Sequence, residues 1–155
     1  MVTSIVTKIL ITLAFFFGLV FSSQASTLAK TNKEVVCLAS VIHDEARGEP
    51  ISAKLAVAAV VMNRVKHQKY PNTICKVVYQ SSNGICQFSG MCKKKIRALD
   101  KNTLEIAHGV VFGLYKDPTR GATHFHNNTV SPHWSKNYVK TARIGKHTFY
   151  KERLY

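Results

Sequence analysis

The sequence predicts an α+β domain, because two helical patterns lie in its first half and an antiparallel hairpin lies at its end. Residues 35–46 place apolar side chains at the i, i+3, i+4, i+7 spacing of an amphipathic helix. Residues 53–65 are apolar almost all the way round, which is typical of a helix buried in the centre of a domain. From Gly121 onward the period changes to the alternation of strands. We therefore expect a helical core followed by a small antiparallel sheet.

The connecting elements of the helical half follow from local signals. Ser52 is a candidate N-cap for the second helix. The apolar stretch 74–79 is rich in β-branched residues and reads as a short β-like run. The segment from Asn102 to Glu105 has the spacing of a capping box, so we expect a third helix to open there and to continue to about residue 112. Gly113 then ends that helix.

The strand half is defined by its alternation and its turns. Residues 122–126 alternate as a strand and are followed by a turn. Residues 140–144 and 147–151 flank Gly145-Lys146, a two-residue turn with glycine first, which is typical of a β-hairpin.

The first 25 residues have the features of a secretory signal peptide. Lys8 is their one charge, residues 9–21 form an apolar run, and Ser23-Gln24-Ala25 fits a small-residue cleavage site. The apolar run is short for a membrane span, so no stable span is expected once the signal is cleaved, although an uncleaved anchor is the alternative. Residues 26–34 are expected to form a flexible leader, and residues 35–155 one catalytic domain. We expect the protein to be exported to the periplasm, the medium or the cell wall.

Four cysteines behind an export signal favour two disulfides. Three pairings are possible. We favour Cys37–Cys75 together with Cys86–Cys92, because the second pair closes a short loop. A zinc site built from these thiols and some of the seven histidines is the alternative, and the absence of a CxxC spacing disfavours it.

The chain is strongly basic, with 22 Lys and Arg against 8 Asp and Glu. An exported cationic domain suits an anionic partner such as the bacterial wall, anionic lipid or extracellular nucleic acid. The charge sets this preference but does not choose among the three.

Three of the eight acidic residues fall within residues 44–49. Gly48 can supply the left-handed residue that ends a helix, and Pro50 prevents helical structure just before it, so Glu45 is expected in the last helical turn. One interpretation is a helix end with solvated charges. The other is a carboxylic acid positioned for proton transfer.

The two glutamates of this elbow, Glu45 and Glu49, are expected to differ in their affinity for a proton. Exposed carbonyls at a helix C-terminus disfavour an anion, whereas the start of the next helix favours one. Glu45 is thus the candidate acid and Glu49 the candidate ionised partner. The cation of Arg47 opposes this difference. Asp44 lies roughly 100° around the helix from Glu45 and is expected to face elsewhere.

Together these residues resemble the cell-wall hydrolases of the spore-cortex-lytic (SleB) type. The resemblance covers nearly all of the chain after the signal, in order. Its motifs are EARGE at 45–49, AVAAVVMNRV at 56–65, YPNTICKVVY at 70–79, CQFS at 86–89, GATHFH at 121–126, PHW at 132–134 and IGKHTFY at 144–150.

The resemblance implies a lysozyme-related helical core and a domain that cleaves peptidoglycan glycan strands between N-acetylmuramic acid and N-acetylglucosamine, commonly as a lytic transglycosylase. It also implies that Glu45 is the catalytic acid, and Glu49 is the second catalytic candidate. The residues expected to bind substrate lie in the matching motifs and are Gln87, Phe88, Thr123, His124, His126 and Trp134. No metal or cofactor, no nucleic acid and no second subunit is expected.

Two other functions remain open from the sequence. A zinc amidase that cleaves muramoyl-L-alanine would need His124 and His126, which share one face of a strand, with His133 and His147 as further ligands. A non-catalytic cationic wall-binding module would explain the charge but not the acidic elbow.

Overall fold

The computed structural model describes residues 27–88, 91 and 99–153. These residues confirm the α+β class. The helices are α1 (27–46), α2 (Ile51–Lys66), α3 (Ile74–Val78) and α4 (Lys101–Val111), with a 3-10 helix at His133–Asn137. The strands are β1 (Ser81–Ser82), β2 (Ile85–Cys86), β3 (His124–Asn127), β4 (Val139–Ile144) and β5 (His147–Lys151). The strands form a β1–β2 ribbon and an antiparallel sheet in the order β3–β5–β4.

The chain divides into two units, Met1–Lys33 and Glu34–Tyr155. In the first, the described residues 27–33 are helical, and Thr31 Oγ1 donates to the Thr27 carbonyl (3.0 Å). The expectation of a flexible leader at residues 26–34 stays a prediction, and its described part is helical. The predicted signal peptide and its cleavage site lie outside the described residues. Within the described chain, no helix has the length and apolar character needed to cross a membrane.

The core of the second unit is built from α1 and α2. The predicted apolar face of α1 is buried, with Leu38 and Ile42 fully enclosed, and each such side chain contributes about 2 kcal/mol by leaving water. Helix α2 is buried around most of its surface, as its composition predicted. It begins at Ile51 with Pro50 as N-cap, so the expectation that Ser52 caps it is wrong. The Pro50 carbonyl accepts from the amides of Ala53 and Lys54 instead (3.0 and 3.2 Å).

The stretch predicted as a β-like run is the helix α3. Thr73 has an extended backbone, and its side chain accepts from the Lys76 amide, which caps the helix. Ile74, Val77 and Val78 are buried, at the i, i+3, i+4 spacing of a helical face. The cap and this burial outweigh the β preference of the branched residues, since intrinsic propensity is the weaker influence.

Helix α4 begins two residues earlier than the predicted capping box implies. Its N-cap is Asp100 and not Asn102, because the Asp100 carboxylate accepts from both the amide and the hydroxyl of Thr103 (2.9 and 2.7 Å). These hydrogen bonds, the hydroxyl first, lower the pKa of Asp100 to about 2. Gly113 adopts a φ of +73° just beyond the helix, as the stop signal predicted.

The hairpin forms where the sequence predicted it, with β4 and β5 on either side of Gly145-Lys146. Phe149 on β5 is fully buried and packs with Ala56, Val60 and Ala122, which attaches the sheet to α2. This packing places the sheet beside the end of α1 that carries the acidic elbow.

The disulfide Cys37–Cys75 confirms the first predicted pairing and joins α1 to α3, with the two Cα atoms 5.3 Å apart. The second predicted pair includes Cys92, which lies outside the described residues. That pairing stays a prediction.

Gly145 is a position that we expect to reject any side chain. Its φ is +56°, and an added Cβ would lie 2.2 Å from Glu49 Oε2 and 2.8 Å from the Cβ of Ala53. Gly145→Ala should therefore lower the free energy of unfolding by roughly 2 kcal/mol, from backbone strain and overpacking together. Urea denaturation measures this change. Gly84→Ala is the control: its φ is +75° but its Cβ would meet nothing within 4 Å, so it isolates the cost of backbone strain. Equal losses in the two variants would contradict the close contact.

Candidate active site

A polar cleft of about 570 Å³ lies between the end of α1 and the sheet. It brings together residues from α1, α2, the β2 region, β3, the 3-10 helix and β5. The lining residues are Asp44, Glu45, Arg64, Gln87, His124, Phe125, His126, Asn127, Val130, Trp134 and His147. Two further cavities of about 110 and 360 Å³ contain none of the predicted site residues. The cleft is thus the candidate active site.

Glu45 lies in the last turn of α1 and faces the cleft, half-buried. Gly48 ends the helix with a φ of +76°, and the Glu49 amide donates back to the Ala46 carbonyl (3.1 Å). This is the elbow that the sequence predicted. Its geometry holds a carboxylic acid on a rigid helix at the edge of a solvent-filled space.

Asp44 also lines the cleft, so the expectation that it faces elsewhere is wrong. Two residues offset by roughly 100° on a helix are neighbours on its surface, so both can border one cleft. The cleft therefore carries two adjacent carboxyl groups from α1.

Glu49 does not line the cleft. Only 5% of its side chain is exposed. Its Oε2 accepts from the Lys146 amide (2.8 Å), and its Oε1 lies 3.4 Å from His147 Nδ1. The two glutamates of the elbow thus occupy different environments. Glu45 borders the cleft, whereas Glu49 is enclosed where the elbow contacts the β4–β5 hairpin. A direct contact between Glu49 and substrate is not supported by this position.

One wall of the cleft is aromatic and carries polar ring atoms. The Trp134 ring lies 5.5 Å from His124, 5.8 Å from His126 and 5.5 Å from Tyr150, measured between centroids. A hydrogen bond of 2.9 Å joins His126 Nε2 to the Tyr150 hydroxyl. Trp134 is half-buried, so part of its ring remains available to a ligand. Such an aromatic surface with fixed polar groups suits a sugar ring.

His124 is held neutral within this wall. Burial, followed by the nearby charge of Arg64, lowers the pKa of His124 to about 4. Its Nδ1 lies 3.0 Å from Thr123 Oγ1, which fixes the ring. At neutral pH the cleft therefore meets an uncharged imidazole.

Arg64 is a cleft residue that the sequence reasoning missed. It is 4% exposed, its Nε donates to the Thr123 carbonyl (2.7 Å), and its guanidinium lies over the rings of Tyr70 and Phe88 (5.2 and 4.9 Å). Burial lowers the pKa of Arg64, but a guanidinium remains charged at any ordinary pH. The sequence feature that could have identified Arg64 is a cation at the end of a helix that is otherwise apolar all round.

The predicted substrate-binding residues divide into two groups. Gln87, His124, His126 and Trp134 line the cleft. Phe88 and Thr123 are buried, at 1% and 5% exposure, and lie behind it. We therefore infer that Phe88 and Thr123 support the wall of the cleft and do not contact substrate.

The histidines considered for zinc do not form a ligand set. In the described ranges, no group of three His, Cys, Asp or Glu side chains lies close enough to hold a metal ion. Two of the imidazoles that line the cleft are instead engaged by protein neighbours, His124 by Thr123 and His126 by Tyr150.

The family model described as Cell Wall Hydrolase matches residues 48–150 of this chain. The chain belongs to the cell wall hydrolase family. The matched region begins three residues after Glu45, so it contains the sheet, the aromatic wall and Glu49 but does not by itself assign the acid.

Curated relatives of this cell wall hydrolase are spore cortex-lytic enzymes. That of Halalkalibacterium halodurans is 30% identical over 121 residues, which cover 77% of this chain and 35% of the relative. That of Bacillus subtilis (strain 168) is 29% identical over 121 residues, covering 77% and 38%. The chain thus spans between a third and a half of the length of these relatives.

Solved structures show which part corresponds. The catalytic domain of the Bacillus cereus SleB protein matches with a TM-score of 0.66 and 28% identity, covering 76% of this chain and 89% of that one. The catalytic domain of a germination-specific lytic transglycosylase, SleB from Bacillus anthracis, matches with a TM-score of 0.65 and 29% identity, covering 76% and 93%. The predicted relationship to the SleB-type catalytic domain is confirmed.

Proposed function

We propose that this cell wall hydrolase cleaves the glycosidic bond between N-acetylmuramic acid and N-acetylglucosamine in peptidoglycan, and that it does so as a lytic transglycosylase with Glu45 as the acid. The observation that carries the proposal is the position of Glu45 on the end of α1, facing a cleft with an aromatic wall. One structural neighbour is named as a lytic transglycosylase, which supports the same outcome here.

The first step needs one proton donor. Protonated Glu45 gives its proton to the glycosidic oxygen while positive charge develops at the anomeric carbon of the muramic acid. A carboxyl group is suited to this step because Glu45 is half-buried, lies on the last turn of a helix and borders the cleft.

The second step closes the sugar on itself. The muramic acid 6-hydroxyl attacks the anomeric carbon, its proton passes to a base, and a 1,6-anhydro sugar forms without water. In the simplest version the Glu45 carboxylate, having lost its own proton, is that base.

The cleft wall supplies the sugar contacts. Trp134 offers a ring face and Gln87 an amide group at the same surface. His126 supports this wall, because its two ring nitrogens are engaged by the Asn127 carbonyl and the Tyr150 hydroxyl. We infer that Asp44 supports Glu45 electrostatically, since both carboxyl groups face the same cleft.

We propose that the protein acts outside the cytoplasm, on the wall of the cell that exports it. The signal-like N-terminus and the Cys37–Cys75 disulfide both support an oxidising compartment. The formal net charge of +14 supports attraction to an anionic wall. We expect the domain to act as a monomer. The spore role named for the relatives is not transferred to this chain.

A chelator distinguishes this proposal from the zinc amidase. We expect EDTA to leave the release of soluble fragments from purified peptidoglycan unchanged within about twofold, because the proposed chemistry uses only carboxyl and hydroxyl groups. Complete loss with EDTA and recovery on adding zinc would contradict the proposal. A known zinc amidase treated in parallel is the control.

A further inference from the structure

The Glu49–His147 pair is the buried feature that the proposed chemistry leaves unused. Both side chains are 5% exposed, and their closest atoms, Oε1 and Nδ1, are 3.4 Å apart. The other carboxylate oxygen is fixed by the Lys146 amide at 2.8 Å. A Cβ added at Gly145 would collide with the same carboxylate, so the Gly145 backbone lies close beside it. The carboxylate therefore points at one ring nitrogen.

His147 contacts both Glu49 and the cleft. It lines the same space as Glu45, although it is almost fully buried. Its Nδ1 is sealed from solvent and has no hydrogen bond of good geometry beyond the approach of Glu49. The ring is held edge-on to Phe125 at 5.1 Å between centroids. With Nδ1 turned to the carboxylate, Nε2 is the nitrogen left to face the cleft.

We propose that His147 is a second catalytic residue, the base that receives the proton of the attacking hydroxyl, and that Glu49 is the positioning residue that fixes its tautomer. The proposal rests on the glycosidase function and assigns its second step to a residue other than Glu45. A carboxylate at Nδ1 holds the ring proton there, so Nε2 keeps its lone pair toward the cleft. A distance of 3.4 Å is long for a hydrogen bond, and such contacts often shorten only when substrate is bound.

The surroundings of His147 favour the neutral ring. Burial is the largest influence and lowers its pKa below the ordinary histidine value. Glu49 and Glu45 act in the opposite direction, whereas His126 and Lys146 act in the same direction as burial. At neutral pH the imidazole is uncharged and able to accept a proton.

The step balances without a further reactant. Glu45 gives its proton to the glycosidic oxygen, and the bond between that oxygen and the anomeric carbon breaks. The muramic 6-oxygen forms a new bond to the anomeric carbon, and its proton passes to His147 Nε2. The imidazolium then loses a proton to solvent, and Glu45 regains one from solvent. The products are the anhydro sugar end and the free 4-hydroxyl of the leaving sugar.

The tautomer of His147 is the most direct test. In the folded wild-type protein at pH 7.5, ¹⁵N NMR should show the ring proton on Nδ1. In Glu49→Gln, the Lys146 amide still needs an acceptor, so the amide oxygen of the new side chain takes that place. Its NH₂ group must then donate to Nδ1, which moves the ring proton to Nε2 and removes the base. Glu105→Gln, an exposed change on α4, should leave the tautomer unaltered. A wild-type ring proton on Nε2 would overturn the proposal.

Kinetics give the second test. His147→Asn retains a donor near Nδ1 for Glu49 but has no base at Nε2, so kcat should fall on the order of 10²-fold, with KM changed much less. Protonation of His147 at low pH removes the base, so wild-type kcat/KM should fall at a pH below the ordinary histidine pKa, and this acidic limb should vanish in the variant. His133→Gln, a change at an exposed histidine outside the cleft, should behave as wild type.

The outcomes separate this proposal from the function on which it rests. If His147→Asn folds, keeps kcat within threefold and keeps the acidic limb, His147 is not the base, whatever Glu45 does. If Glu45→Gln is fully active, the glycosidase proposal fails even if the tautomer is as expected. If His147→Asn does not fold, the wild-type tautomer and the Glu49→Gln turnover decide.

Discussion

Replacing Glu45 by glutamine is expected to lower the turnover of peptidoglycan by roughly 10²- to 10⁴-fold, which corresponds to about 3 to 5 kcal/mol of activation free energy. Glutamine has nearly the shape of glutamate and keeps its hydrogen-bonding capacity, but it cannot release a proton to a leaving oxygen. Because Glu45 is half-buried at the end of α1, borders the cleft and is replaced by a side chain of nearly the same shape, the change should leave the packing of the helix intact. The release of soluble fragments from peptidoglycan measures the loss of turnover. A thermal melt of the same sample measures whether the fold is intact.

Asp44→Asn is the matched control for this experiment. Asp44 lies next to Glu45 and lines the same cleft, so its substitution removes a carboxylate from the same surface. If Glu45 is the acid, the Asp44 variant should lose much less activity. Equal losses in the two variants would indicate that the cleft needs negative charge in general and not one proton donor.

Binding of the inactive variant separates an enzyme from a wall-binding module. Glu45→Gln should still sediment with insoluble peptidoglycan, since the aromatic wall around Trp134 is unchanged. If the wild-type protein binds walls as well as the variant does but also releases no fragments, the protein is a wall-binding module and the catalytic proposal is wrong.

Removal of the Cys37–Cys75 disulfide is expected to cost about 4 kcal/mol of unfolding free energy. The bridge spans a sequence separation of 38 residues, and closing a loop of that size in the unfolded chain removes entropy that corresponds to roughly this value. The bridge also joins α1, which carries Glu45, to α3. The double variant Cys37→Ala with Cys75→Ala should therefore unfold at a clearly lower urea concentration.

Two measurements check this second prediction. Urea denaturation of the double variant against wild type gives the free-energy difference directly. Thiol titration of unreduced, denatured wild-type protein should find no free thiol at these two positions, since both are bonded in the folded domain. Four free thiols, or a stability loss below about 1 kcal/mol, would contradict the role assigned to the bridge.

The parts of the fold that were predictable from sequence are those set by neighbouring residues. The period of 35–46, Gly48 at the helix end and the Gly145-Lys146 turn each act over a few positions, and each appears as predicted. The α3 helix was not predictable in this way. Its β-branched residues favour a strand, and only burial of Ile74, Val77 and Val78 against the core reverses that preference.

The site shows the same division. The position of Glu45 in the last turn of a helix follows from the local stop signal, and Gln87, His126 and Trp134 reach the cleft through the motifs that contain them. The surroundings of Glu49 depend on a hairpin almost a hundred residues later, so no local pattern could show that its carboxylate is enclosed.

Contacts between distant segments also explain Arg64 and Asp44. Arg64 is buried by contacts with Thr123 and the ring of Phe88, which the sequence of α2 alone does not indicate. Asp44 lines a cleft whose other side is formed by residues of the sheet, far along the chain. In each case the residue could be identified in the sequence, but the contacts that determine its position are made with another part of the chain.

Mass spectrometry of the soluble products from purified peptidoglycan tests the central proposal most directly. Wild-type protein should release muropeptides that end in 1,6-anhydro-N-acetylmuramic acid, and Glu45→Gln should release almost none. Digestion with a lysozyme-type muramidase supplies the reducing-end standard. Reducing muramic acid ends would show that the protein cleaves the glycosidic bond by hydrolysis and not as a transglycosylase. Free stem peptides with intact glycan strands would contradict glycosidic cleavage altogether.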